Sequence, residues 1–186
     1  MKLMKKFLSL MIAVVALFAC QDLSAQKNKI VGKWQADAKE SALFVEALRA
    51  EGMECDGVMM FEFKKNGTGE FICDVSTSGP MEEGVTLVMD IILKLDIKWT
   101  YKNDVLSVEY TAADVNFKRL TVEPADPEFD AFFAQLKPMM EQKMAEELLA
   151  STKDNDDSAH VEFVDNNNVI LHAFIDDIDL AIERVK

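Results

Sequence analysis

The side chains able to do chemistry gather late in the chain. His160 and His172 are the only histidines, and an imidazole can ligate a metal or carry a proton near neutral pH. Around them Asp154, Asp156, Ser158, Glu162 and Asp165 fall near the oxygen-ligand spacing of a calcium loop. Two positions break that pattern. Ala159 stands where the sharp turn needs glycine, and Asp165 stands where a glutamate would close the site. A solvated acidic loop is therefore expected, with both imidazoles structural or solvent-facing. The sequence contains no Gly-x-Ser-x-Gly elbow, no phosphate-binding glycine loop and no Cys-x-x-Cys pair. Its many carboxylates form no recognisable acid–base pair. These residues predict a non-enzymatic protein without metal or cofactor.

The elements around them read mostly as strands. From Val85 to Tyr101 every odd-numbered residue is apolar, ending in Leu93, Leu95, Ile97, Trp99 and Tyr101. A period of two means extended chain with one buried face. Seventeen such residues would span roughly 56 Å at about 3.3 Å each, so the segment must bend or break around a bulge. Asn103 and Asp104 tolerate the backbone of a two-residue hairpin turn. Such a turn sets Tyr101 opposite Leu106, Trp99 opposite Val108, Ile97 opposite Tyr110 and Leu95 opposite Ala112. A second hairpin turns at Asn66-Gly67-Thr68. A three-residue loop there pairs Phe63 with Phe71, Phe61 with Cys73 and Met59 with Val75, which matches apolar with apolar. In that register Cys55 lies too far along the strand to reach Cys73, and two unbridged thiols are expected.

Further strands are expected at Ile30–Ala36, Val115–Glu123, Ala159–Asp165, Asn168–Ile175 and Ile178–Val185. The switch of parity between Phe117 and Leu120 predicts a bulge near Lys118-Arg119. Asp165 to Asn168 reads as a turn whose register stays open, so His172 cannot be assigned to a face. Two helices interrupt the strands. Glu40–Glu51 carries Leu43, Phe44, Ala47 and Leu48 on one side, with Gly52 as a stop. Residues 127–150 form a longer insertion, capped by Asp126 and begun by Pro127, with an apolar stripe from Phe129 through Phe133, Met140 and Met144 to Leu148. Pro138 should kink or split it. The stripe either completes the core or lies as a lid over a barrel mouth.

At the N-terminus Lys2, Lys5 and Lys6 precede an apolar run from Phe7 to Cys20, the pattern of an export signal over residues 1–25. The run is too short for a confident membrane span. Cleavage after Ala25 leaves a protein free in the periplasm or beyond; Leu17-Phe18-Ala19-Cys20 offers the alternative of a lipid anchor at Cys20. Without residues 1–25 the chain has 17 basic and 32 acidic residues, a net charge of −15. That excess argues against nucleic acid and anionic membranes as partners. Residues 26–186 suit one domain.

Gly32-Lys33-Trp34 looks like the Gly-x-Trp start of lipocalin-type barrels. With Phe61-Glu62-Phe63-Lys64-Lys65-Asn66-Gly67-Thr68 and Lys98-Trp99-Thr100-Tyr101, the chain resembles the lipocalin-like exported proteins of Bacteroides-type bacteria. The resemblance implies a mainly β, antiparallel up-and-down barrel of about 8–10 strands. It also implies that Trp34 is the floor residue, with Arg184 as its candidate partner and Arg119 as the rival. No Thr-Asp pair matches the second lipocalin motif. The expected function is binding of a small hydrophobic molecule by an interior lined with Phe61, Phe63, Leu95, Ile97, Trp99 and Val108. A filled barrel serving as a cell-envelope structural or interaction module is the alternative.

Overall fold

The structure, a computed structural model, describes residues 28–36, 54–82, 84–152, 157–175 and 178–185. The export segment with Cys20, the expected helix Glu40–Glu51, and Asp154 and Asp156 lie outside the described residues. Eight strands follow one another as β1 (Gly32–Ala36), β2 (Glu54–Phe63), β3 (Thr68–Glu82), β4 (Val85–Lys102), β5 (Val105–Glu123), β6 (Asp157–Phe163), β7 (Asn168–Ile175) and β8 (Ile178–Arg184). One helix, α1 (Pro127–Thr152), separates β5 from β6. Each strand pairs antiparallel with its sequence neighbour, and β1 pairs with β8 to close the barrel. The mainly β, antiparallel barrel expected from the alternation is the fold.

The wall is uneven. β3, β4 and β5 have 15, 18 and 19 residues, whereas β1 has five and β6 to β8 have seven or eight. Only Val105 to Val108 of β5 pair with β6. Beyond them the long hairpins rise above the rest of the barrel. α1 runs along this upper part of β5 and covers its edge, where the Phe117 N–H donates to Glu141 Oε1 at 2.9 Å. A helix thereby occupies a strand edge that would otherwise invite pairing with another chain.

The β4–β5 turn forms as its residues dictate, with Asn103 and Asp104 at φ of 53° and 60°. Tyr101, Trp99 and Ile97 stand opposite Leu106, Val108 and Tyr110. Leu95, however, faces Ala113 rather than Ala112, because Thr111 is an extra residue in β5. Lys118 is a second extra residue, at the bulge that the parity switch predicts. β4 itself runs unbroken from Val85 to Lys102, so the irregularities fall on its partner.

The β2–β3 register departs from expectation by two residues: Phe63 faces Gly69, Phe61 faces Phe71 and Met59 faces Cys73. The loop keeps three residues but sits one position earlier, at Lys65-Asn66-Gly67, with Gly67 at φ 83° and Lys64 N–H donating to Thr68 O at 2.8 Å. A Cβ at Gly69 would collide with the Glu62 carbonyl oxygen and crowd the Ile97 side chain, and beside this close approach the Trp99 indole lies edge-on to Phe63 at 5.5 Å between centroids. Matching large with large does not register so close a backbone approach, for which glycine is suited. Because the slip is even, every side chain keeps its face. Cys55 now faces Thr77, four residues from Cys73's partner Met59, and both cysteines are reduced thiols.

α1 begins as predicted, the Asp126 carboxylate accepting the Glu128 N–H at 2.8 Å. It runs without a break through Pro138, so the expected splitting does not occur. The β6–β7 turn is organised by Asp165, whose Oδ1 accepts N–H groups of Asn167 and Asn168 at 2.6 and 2.8 Å.

Candidate functional site

Inward positions of β1 to β8 converge on one apolar cluster. Phe61, Phe63, Ile97, Trp99 and Val108 all belong to it and are 1–4% exposed. Leu95 is equally buried one level higher. These six candidate interior residues do face inward, and the cluster's rings pack on one another. Phe61 lies 4.9 Å from Phe71 and 5.9 Å from Phe174 between centroids. The Trp99 indole N–H donates to Thr68 O at 2.9 Å, which satisfies its one polar atom. The lower barrel is thus a packed core. Burial alone pushes the Cys73 thiol within it up to about 12.

The closed end is built around Trp34, which is fully buried and donates to Ile30 O at 2.7 Å. The Arg184 guanidinium lies over its ring at 4.2 Å. Arg184 also donates to the backbone carbonyls of Lys29, Val31 and Asn166, tying three segments together. Gly32 has φ +142° and presses against Arg184, and a Cβ there would collide with Nη1. Gly32, Trp34 and Arg184 therefore form one device. Arg119 is elsewhere, paired with Glu123 at 2.8 Å near the far end of β5.

Above the packed core the apolar interior continues. Ile91, Val115 and Phe117 form a second buried cluster, against which Met89, Leu93, Met140, Met144 and Leu148 pack half-buried. Leu93 also packs against the lower cluster, with half-buried Phe71 and Tyr110. The inner face of the long hairpins and the α1 stripe are thus joined at the barrel's upper rim. Phe71, Tyr110, Met89 and Leu93 were not singled out in the sequence as site residues. The Val85–Tyr101 alternation carried the signal for Met89 and Leu93, and the hairpin pairings carried it for Phe71 and Tyr110, but strand lengths do not reveal where a barrel rim falls.

Outside, the wall is polar. A depression of about 650 Å³ is lined by Asn66, Gly67, Lys98, Trp99, Thr100, Ser107, Val108, Glu109 and Ser158. His172 sits on the outer face between Asp179 (Nδ1 to Oδ2, 2.9 Å) and Glu162 (Nε2 to Oε2, 3.0 Å). These hydrogen bonds, Asp179 first, hold its pKa above the ordinary imidazole value. Glu162 and Asp165, counted in the calcium spacing, do not converge: Glu162 reaches His172 and Asp165 accepts the N–H groups of its own turn. Among the described residues no helix is long and apolar enough to cross a membrane.

No protein-family model matches the chain, and no curated protein matches it.

Proposed function

We propose that this chain is an exported, lipocalin-like barrel that binds a small apolar molecule without catalysing a reaction, at the junction between the barrel rim and α1. The observation carrying this reading is the continuity of half-buried apolar side chains from Phe71, Leu93 and Tyr110 to Met89, Met140 and Met144. Methionines adapt to partners of varied shape, and here they line one side of the junction opposite rigid rings. The six residues first expected to line the pocket serve instead as the packed base beneath it. Support for the family reading comes from the Gly32, Trp34 and Arg184 device and from the next-neighbour antiparallel closure. Support for export comes from the basic and apolar pattern of residues 1–25, with Cys20 as the alternative lipid anchor.

The ring packing of the lower barrel favours a second reading, a filled barrel that serves the cell envelope as a structural or interaction module. Mass spectrometry of organic extracts from the purified protein separates the two. A stoichiometric apolar compound, lost in Met140→Asp with Met144→Asp while the melting temperature of the barrel persists, supports the binder. Repeated absence of any compound, with no response of Trp fluorescence to apolar probes, overturns it in favour of the filled module.

A further inference from the structure

We propose that His160, Glu162 and His172 form an outer-wall site for one divalent ion of the zinc type, with Asp179 orienting His172 behind it.

The placement follows from the sheet. His160 and Glu162 lie on β6, His172 on β7 and Asp179 on β8, three adjacent strands. Their neighbours Val161, Leu171 and Leu180 are buried at 4%, 0% and 4% exposure, so all four polar residues point outward together. The register sets His160 directly opposite His172, and side chains directly opposite share one patch of wall. Val105, opposite His160 on β5, adds no charge.

The distances suit one metal. His172 Nε2 and Glu162 Oε2 are 3.0 Å apart. Two ligand atoms each about 2.0 Å from a tetrahedral zinc stand roughly 3.3 Å apart, so the ion fits between them with little movement. The two imidazole centroids are 6.4 Å apart, and two imidazoles on one zinc carry centroids roughly 5–6 Å apart. Among the described residues no three ligating side chains already stand in binding positions. His160 is exposed, and its side chain can turn toward Nε2 of His172 without disturbing the core.

The surroundings supply what a metal-bound histidine needs. Such a ligand almost always donates its other ring N–H to a carboxylate, a backbone carbonyl or a water, which fixes ring orientation. Asp179 does this at Nδ1, and Asp179 is itself held, because its Oδ1 accepts the Ala173 N–H at 3.0 Å. Ala173 has φ 52° at the irregularity in β7, so the bulge aims the carboxylate at the ring. Two imidazoles with a carboxylate select zinc or copper over calcium and magnesium, which prefer all-oxygen sites.

The test is titration of the tag-free chain with Zn²⁺, read by calorimetry and by the ring resonances of both histidines. One ion per chain at micromolar concentration, shifting His160 and His172 together, is expected, with Ca²⁺ shifting neither. His160→Ala leaves the β7 bulge untouched and should weaken binding at least about tenfold, while Asp179→Asn should weaken it about 10–100-fold. Unchanged affinity in both His160→Ala and Glu162→Gln overturns the proposal. So does failure of the two rings to respond at one equivalent.

Discussion

At the residue scale, Gly32 and Arg184 act on one another. A side chain at Gly32 must displace the guanidinium from Trp34 and adopt a backbone that L residues rarely take. Gly32→Ala should therefore cost about 1–3 kcal/mol. In an Arg184→Ala background the same change should cost measurably less, since the collision is gone. Denaturant midpoints of the four proteins in this cycle check it, and strict additivity would refute the coupling. His172 gives a second prediction. Its pKa is raised by Asp179 and then by Glu162, so in the metal-free protein its contribution to stability is full below about 6.5, the ordinary value. That contribution is lost as pH rises through the folded value. Asp179→Asn should lower the titration midpoint of the ring, as followed by NMR.

At the element scale, α1 replaces a strand. The Phe117 N–H faces the edge of β5 above the reach of β6, and only the Glu141 side chain is shown to receive it. Glu141→Ala should cost about 1–3 kcal/mol and speed hydrogen exchange at the Phe117 amide. Glu141→Gln keeps an acceptor oxygen and should retain most of the protection. Unaltered exchange in the alanine variant would show that α1 does not guard the edge. The existence and type of these elements were legible, because helical spacing from Phe129 to Leu148 and alternation from Val85 to Tyr101 are long and unambiguous. Register was less so. The Asn103-Asp104 turn has only one comfortable geometry, and its pairs down to Ile97 follow. The β2–β3 register slipped because Gly69 admits the Glu62 carbonyl and the Ile97 side chain where a Cβ would sit, a close approach that apolar matching along two strands does not capture. The extra residue Thr111 left no mark in a segment, Thr111-Ala112-Ala113, without strong polarity contrast.

At the scale of the whole molecule, the interior is graded from a tight base to a looser rim. Cys73 lies in the base, and burial holds its thiol at about 12, so almost no thiolate exists in the folded state at neutral pH. Alkylation of Cys73 should therefore require opening of the barrel and should accelerate in step with loss of stability in Gly32→Ala. Rapid labelling in native buffer would show that the base breathes independently. That the packing loosens toward the rim was not legible in sequence, because inward-facing residues look alike whether they meet each other or a void. The β1–β8 seam has a kinetic meaning of its own. Pairs from β2 to β5 join neighbours in sequence, whereas Trp34 meets Arg184 from nearly opposite ends of the chain. Closing so long a loop costs little extra free energy, about 0.6 kcal/mol for each doubling of its length. Contacts of high sequence separation nevertheless slow folding. The tall meander can assemble first as an open, curling sheet, and the stacking of Arg184 on Trp34 then marks the last step, when the cylinder zips shut.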